Sequence, residues 1–282
     1  MGSPRPGAIA PLLSTSELAA QLAGWRVFDC RHDLAKPDWG LEEFRKSHIP
    51  GARFAHLDRD LSAPKTGRNG RHPLPEPAAF AAWLGAQGLE AADRIVCYDA
   101  GNGTMAARLW WMLRWVGHEA VAVLDGGLAK WIAESRPLTS EIKAFPGTVF
   151  PFKVHPEMEI RVKPLETRSE QALLLDARAP QRFRGEQEPI DPVAGHIPGA
   201  VNRFCTENLM PDGSFKSSSR LQEEFKSLLQ NRTPEEVVHY CGSGVAACHN
   251  LLAMEIAGLP GSRLYAGSWS EWIADPRRPI AP

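Results

Sequence analysis

Short apolar runs that end in a polar residue punctuate this chain, and amphipathic stretches separate them. Runs at 27–29, 94–98, 120–124, 172–176 and 237–240 are too short for helices and too uniformly apolar for half-exposed strands, so they predict strands buried on both faces of a sheet. The stretches at 105–116 and 245–256 carry helical periodicity, each opened by a glycine-containing turn. Strands alternating with helices are the pattern of a parallel sheet covered by helices, so the predicted fold class is α/β.

The pattern occurs twice. Val27-Phe-Asp-Cys-Arg31 is answered by Leu174-Leu-Asp-Ala-Arg178, and His48-Ile-Pro-Gly-Ala52 returns letter for letter as His196-Ile-Pro-Gly-Ala200. Ile95-Val-Cys-Tyr-Asp99-Ala-Gly-Asn-Gly103 aligns with Val237-Val-His-Tyr-Cys241-Gly-Ser-Gly244, and Gly126-Gly-Leu-Ala-Lys-Trp131 with Gly267-Ser-Trp-Ser-Glu-Trp272. A repeat of this length is a whole domain rather than a solenoid unit. The expected organisation is a first domain over 1–140, an extended proline-punctuated linker over 141–164, and a second domain over 165–282.

Composition narrows the partners. With 282 residues, 32 basic and 33 acidic side chains, the chain has no field to attract nucleic acid, and no apolar run approaches membrane-spanning length. The N-terminus lacks the apolar core of a secretory signal, so a cytoplasmic location is expected. Five cysteines at 30, 97, 205, 241 and 248, with no C-x-x-C pair, predict free thiols, and no His, Cys or carboxylate set has linear metal-ligand spacing. Neither a metal nor an organic cofactor is expected.

Cys241 is the candidate nucleophile. It follows a predicted strand and precedes Gly242-Ser243-Gly244 and a helix, the position at which ligands meet parallel sheets. Amides of such a turn, with the positive helix end behind them, favour negative charge on sulfur. The other four cysteines read as packing residues, Cys248 two turns into its helix. The counterpart of Cys241 in the first copy is Asp99, so the first domain has no nucleophile.

The paired His-Ile-Pro-Gly-Ala blocks, Arg182-Phe-Arg-Gly185 and the loop Cys-Gly-Ser-Gly-Val-Ala at 241–246 resemble the tandem-domain rhodaneses, closest to the 3-mercaptopyruvate and thiosulfate sulfurtransferase branch. The resemblance implies two rhodanese domains, with the active site at their interface and the nucleophile in the second. It implies a sulfurtransferase in which Cys241 takes sulfur from 3-mercaptopyruvate or thiosulfate as a persulfide. A thiol, cyanide or protein dithiol then accepts it, in ping-pong covalent catalysis. Gly242, Gly244 and Val245 would stabilise the anionic persulfide through the loop. Ser243 would relay a proton or align the donor, and Arg182 would grip a substrate carboxylate.

Two departures stand out. The second carboxylate-binding arginine, expected near Ile190-Asp191, is missing, and His56 replaces an aspartate of the family set. His56 is thus a candidate base, with Asp58 two residues on sharing its face if the segment is a strand. His72 falls where the family often has a histidine near the site. The basic, glycine-rich segment 65–71 predicts a mobile loop that, folded over the site, would replace the missing arginine and attract a dianion such as thiosulfate, with Arg71 its candidate substrate-binding residue. A cysteine phosphatase is disfavoured, since Cys-x5-Arg would need arginine where Ala247 stands, and no orienting partner supports a Cys-His hydrolase. A non-enzymatic sulfur-carrier or regulatory module is the remaining alternative, with Ala246, where relatives often have threonine, in its favour.

Overall fold

The apolar runs form strands because β-branched and aromatic side chains fill a surface buried on both faces. A computed structural model describes residues 7, 9–167 and 172–282, and they divide into two units. The first comprises Met1–Ala63, Pro75–His155 and Leu209–Phe215; the second comprises Pro64–Leu74, Pro156–Asn208 and Lys216–Pro282. This division departs from boundaries at 140 and 165, because each half of the chain gives one short segment to the other unit.

In the first unit the described elements are β1 (Leu12–Leu13), α1 (Thr15–Ala20), β2 (Arg26–Asp29), α2 (Trp39–Lys46), β3 (Arg53–Phe54), α3 (Pro77–Ala86), β4 (Ile95–Tyr98), α4 (Thr104–Trp115), β5 (Val121–Leu124) and α5 (Gly127–Ala133). Its strands pair in parallel in the order β1-β5-β4-β2-β3. The second unit has α6 (Val162–Glu166), β6 (Leu173–Asp176), α7 (Pro180–Phe183), β7 (Val201–Asn202), α8 (Ser218–Leu229), β8 (Val237–Tyr240), α9 (Ala246–Ile256), β9 (Arg263–Leu264) and α10 (Ser268–Trp272), with parallel order β7-β6-β8-β9. The central strands β4, β5, β6 and β8 are buried along their whole length. Among the described residues no helix is long and apolar enough to cross a membrane.

The repeated motifs are structural. Asp29 at the end of β2 is fully buried and paired with Arg31 at 2.7 Å, and Arg31 also donates to the Ser47 carbonyl. Asp176 and Arg178 repeat the pair at 2.7 Å, with Arg178 donating to the Gly195 carbonyl. Each arginine therefore ties a strand end to the residue preceding His-Ile-Pro-Gly-Ala. The histidines of those blocks stack on Phe44 and Phe183 and bond to the carbonyls of the same residues. Tyr98 and Tyr240 each accept a bond from the isoleucine amide that follows, Ile49 or Ile197.

Three sequence expectations need correction. Residues 162–164 begin helix α6 rather than closing an extended linker, and Pro164 is tolerated there because it lies in the first turn. Cys248 sits in the first turn of α9, not two turns in, and its thiol donates to the Gly244 carbonyl at 3.3 Å. Strand β3 ends at Phe54, so His56 and Asp58 lie beyond it and strand alternation does not govern them.

Candidate active site

Cys241 follows directly on β8, and the loop 241–245 leads into α9. Its Sγ accepts the Gly244 amide at 3.2 Å and the Ser243 amide at 3.5 Å. This curl of backbone around one atom requires Gly244 at φ +76°, where a Cβ would lie 2.3 Å from the Ala266 carbonyl oxygen. Converging amides at the end of a strand form an anion-holding nest. Val245, expected to take part, is the residue preceding α9, and Sγ accepts from Ser243 and Gly244 rather than from it.

The opposite side of the loop is braced by the start of α10. The Trp269 and Ser270 amides donate to the Cys241 and Gly242 carbonyls, each at 3.0 Å. The Cys241 amide donates to Ser268 Oγ at 3.1 Å, and that hydroxyl donates to the Tyr265 carbonyl. Ser268 is held at φ +53°, a left-handed conformation uncommon for serine. Nothing in the sequence pattern singled out Ser268; its role depends on a backbone crossing that only the tertiary fold creates.

Segment Pro64–Leu74 belongs to the same unit as Cys241 and brings two of the expected residues to the loop. His72 Nδ1 lies 2.7 Å from Ser243 Oγ, with both residues buried. The Arg71 amide donates to Ser270 Oγ, and its guanidinium reaches Gly242: a Cβ there would lie 2.6 Å from Arg71 Nη2 and 3.6 Å from Arg182 Nη1. A side chain at residue 242 would therefore push the Arg71 guanidinium from its place beside the loop. The rest of the segment is folded on itself through Asn69, which accepts the Thr66 amide and donates to the Pro64 carbonyl.

Both arginines converge on Asp191, which the sequence pattern noted only as the place lacking an arginine. Asp191 Oδ1 pairs with Arg71 Nη1, and Oδ2 with Arg182 Nη2 at 3.0 Å. Glu188 grips the other edge of Arg182 at 2.7–3.0 Å. Burial pushes the Asp191 carboxyl above the usual aspartate range despite the two guanidiniums. Glu188 goes the other way: burial opposes its charge, but the Arg182 hydrogen bonds and the amides of Asp191 and Ile190 outweigh it and hold it low.

His56 and Asp58 belong to the first unit. His56 Nδ1 accepts the Asp58 amide at 3.1 Å, the His56 amide donates to Asp60 at 2.7 Å, and the Asp58 carboxylate lies 3.7 Å from His32 Nε2. The fold also gathers His32, His56 and Asp58 within 4.8 Å, a grouping invisible in linear spacing. An accepting Nδ1 leaves the proton of the neutral ring on Nε2, which opposes metal ligation through that atom.

In the first unit, Asp99 stands at the turn corresponding to that of Cys241. Its carboxylate fills the nest itself, accepting amides of Gly101 and Gly103 at 3.0 and 2.9 Å and of Met105 and Ala106 at 2.8 and 3.3 Å.

A model of the rhodanese-like domain matches residues 14–134 and again 162–275. A Pseudomonas aeruginosa protein named "Probable 3-mercaptopyruvate sulfurtransferase" is 50% identical over 281 residues, covering 96% of this chain and 98% of its own. The thiosulfate sulfurtransferase of Gallus gallus is 34% identical over 264 residues, covering 89% and 87%. The solved 3-mercaptopyruvate sulfurtransferase from Leishmania major superposes with a TM-score of 0.83 at 33% identity, covering 95% of this chain and 75% of that one.

Proposed function

The chain belongs to the rhodanese-like family, carrying its domain twice, and we propose from that premise that it is a sulfurtransferase working through a persulfide on Cys241. The carrying observation is the Cys241 sulfur, cupped by the amides of Ser243 and Gly244 beside a Ser243–His72 pair and two guanidiniums.

The donor is a small anion with a transferable sulfur, 3-mercaptopyruvate or thiosulfate, as the relatives' names suggest. The Cys241 thiolate attacks the donor's transferable sulfur, the thiol sulfur of 3-mercaptopyruvate or the outer sulfur of thiosulfate, and an S–S bond forms. With 3-mercaptopyruvate the C–S bond breaks, its electron pair passes to carbon, and the pyruvate enolate takes a proton. With thiosulfate the departing group is sulfite. In the 3-mercaptopyruvate reaction Ser243 passes the proton of the donor's own thiol to the enolate carbon, leaving the persulfide as its anion, while His72 orients the serine hydroxyl and shares the charge, the arrangement expected of a serine relay. The Ser243 and Gly244 amides hold the anionic persulfide. Arg182 and Arg71 take the donor's carboxylate or sulfonate end, since planar guanidiniums match such oxygens in pairs. A thiol, a protein dithiol or cyanide then attacks the outer sulfur and frees the Cys241 thiolate. His56 and Asp58, tied to each other and to Asp60 in the first unit, are given no step.

Single-turnover kinetics test this reading. Without acceptor, 3-mercaptopyruvate should release one pyruvate per chain in a burst that Cys241→Ser abolishes. A burst that survives in Cys241→Ser would contradict the assignment, and absence of a burst with either donor would favour a carrier or regulatory module.

A further inference from the structure

The two guanidiniums at Gly242 are not free cations. Arg71 and Arg182 share Asp191, whose side chain is only 3% exposed, and Arg182 is also held by Glu188, 4% exposed. Arg178 behind them is neutralised by Asp176 and Glu188. Three arginines thus face three carboxylates, and the patch beside Cys241 is close to electroneutral although it is lined with guanidinium. Such a patch keeps its directional donors, Arg71 Nη2 and Arg182 Nη1 toward Gly242, without the potential that a pair of uncompensated cations would produce. Directional donors suit a planar monoanionic carboxylate. A compact dianion gains most from net positive charge, and here it meets the Asp191 carboxylate across the same two arginines.

Resting on the sulfurtransferase reading above, we infer that Asp191 is a specificity-determining residue. It positions Arg71 in place of an arginine at its own location, and by cancelling charge it selects monoanionic α-keto carboxylate donors over dianionic thiosulfate.

The test measures kcat and KM for 3-mercaptopyruvate and for thiosulfate, with cyanide as acceptor, in the wild type, Asp191→Asn and Asp191→Glu. Asparagine keeps the size and one acceptor oxygen but not the charge, and glutamate restores the charge. The wild type should prefer 3-mercaptopyruvate. Removing one charge next to both guanidiniums should shift the kcat/KM ratio toward thiosulfate by about tenfold or more, on the order of one unit charge at contact range in a screened site. The shift should lie in KM for thiosulfate, shrink as salt is raised, and be absent or smaller in Asp191→Glu. An unchanged ratio in Asp191→Asn, or an equal loss toward both donors in both variants, would overturn the inference and leave Asp191 as a purely structural counter-ion. If the wild type itself transfers sulfur from neither donor, the sulfurtransferase reading fails, and this inference with it.

Discussion

At the scale of single residues, the pair Ser243–His72 carries the most testable chemistry. A hydroxyl 2.7 Å from a buried imidazole acts as one unit, so its members should not contribute independently. Ser243→Ala and His72→Ala should each lower kcat with 3-mercaptopyruvate by roughly 10²–10³-fold, as loss of a proton-transfer group does. The double variant should be little worse than either, and steady-state pyruvate release checks both points. With thiosulfate, whose sulfite leaving group needs no proton on carbon, the same variants should lose far less. Cys241 and Ser243 were legible in the sequence because a glycine-rich turn after a buried strand and a family motif both mark them, and Arg182 through the family motif alone. Asp191 was legible only as a missing arginine. Its meaning appears once the segment carrying Arg71 is seen to belong to the same unit.

At the scale of elements, two strand-to-helix turns of one design hold different groups. In the first unit Asp99 satisfies four amides, work that a bound anion does in other nests. Asp99→Ala leaves those donors unpartnered in a partly buried turn and should destabilise the fold by about 2–4 kcal/mol in urea titration, given the usual cost of orphaned donors to a charged acceptor. Asp99→Asn should cost less. On β8, His239 is fully buried, its Nε2 3.2 Å from Met254 Sδ and its Nδ1 unpartnered. Burial lowers its pKa to about 3, below an unfolded value of about 6.5. Unfolding therefore takes up a proton between those values. The stability is fully present above about pH 6.5 and is lost as pH falls toward 3. His239→Phe should flatten this part of the pH dependence, measured as the urea midpoint between pH 7 and pH 4. The five longer strands and the two site helices were readable to within a residue at most ends, because parallel strands buried on both faces leave uniform apolar runs. The two-residue strands β1, β3, β7 and β9 were not, since so short a run has no period.

At the scale of the whole molecule, the repeat announced two domains of one α/β fold, while the exchange of segments between units was hidden. Pro64–Leu74 lies far in sequence from the second unit, and no local pattern can reveal which unit it joins. An isolated fragment over 156–282 should lack Arg71 and His72, and its kcat/KM with 3-mercaptopyruvate should fall at least ~10²-fold, the scale of one lost proton-transfer group. The most direct test of the central claim is the intact mass of the reduced protein after exposure to 3-mercaptopyruvate or thiosulfate and then to cyanide, with Cys241→Ser in parallel. A persulfide on Cys241 predicts a gain of one sulfur atom that requires Cys241 and disappears with cyanide. A sulfur adduct that persists in Cys241→Ser, or no adduct from either donor in the native chain, would contradict it.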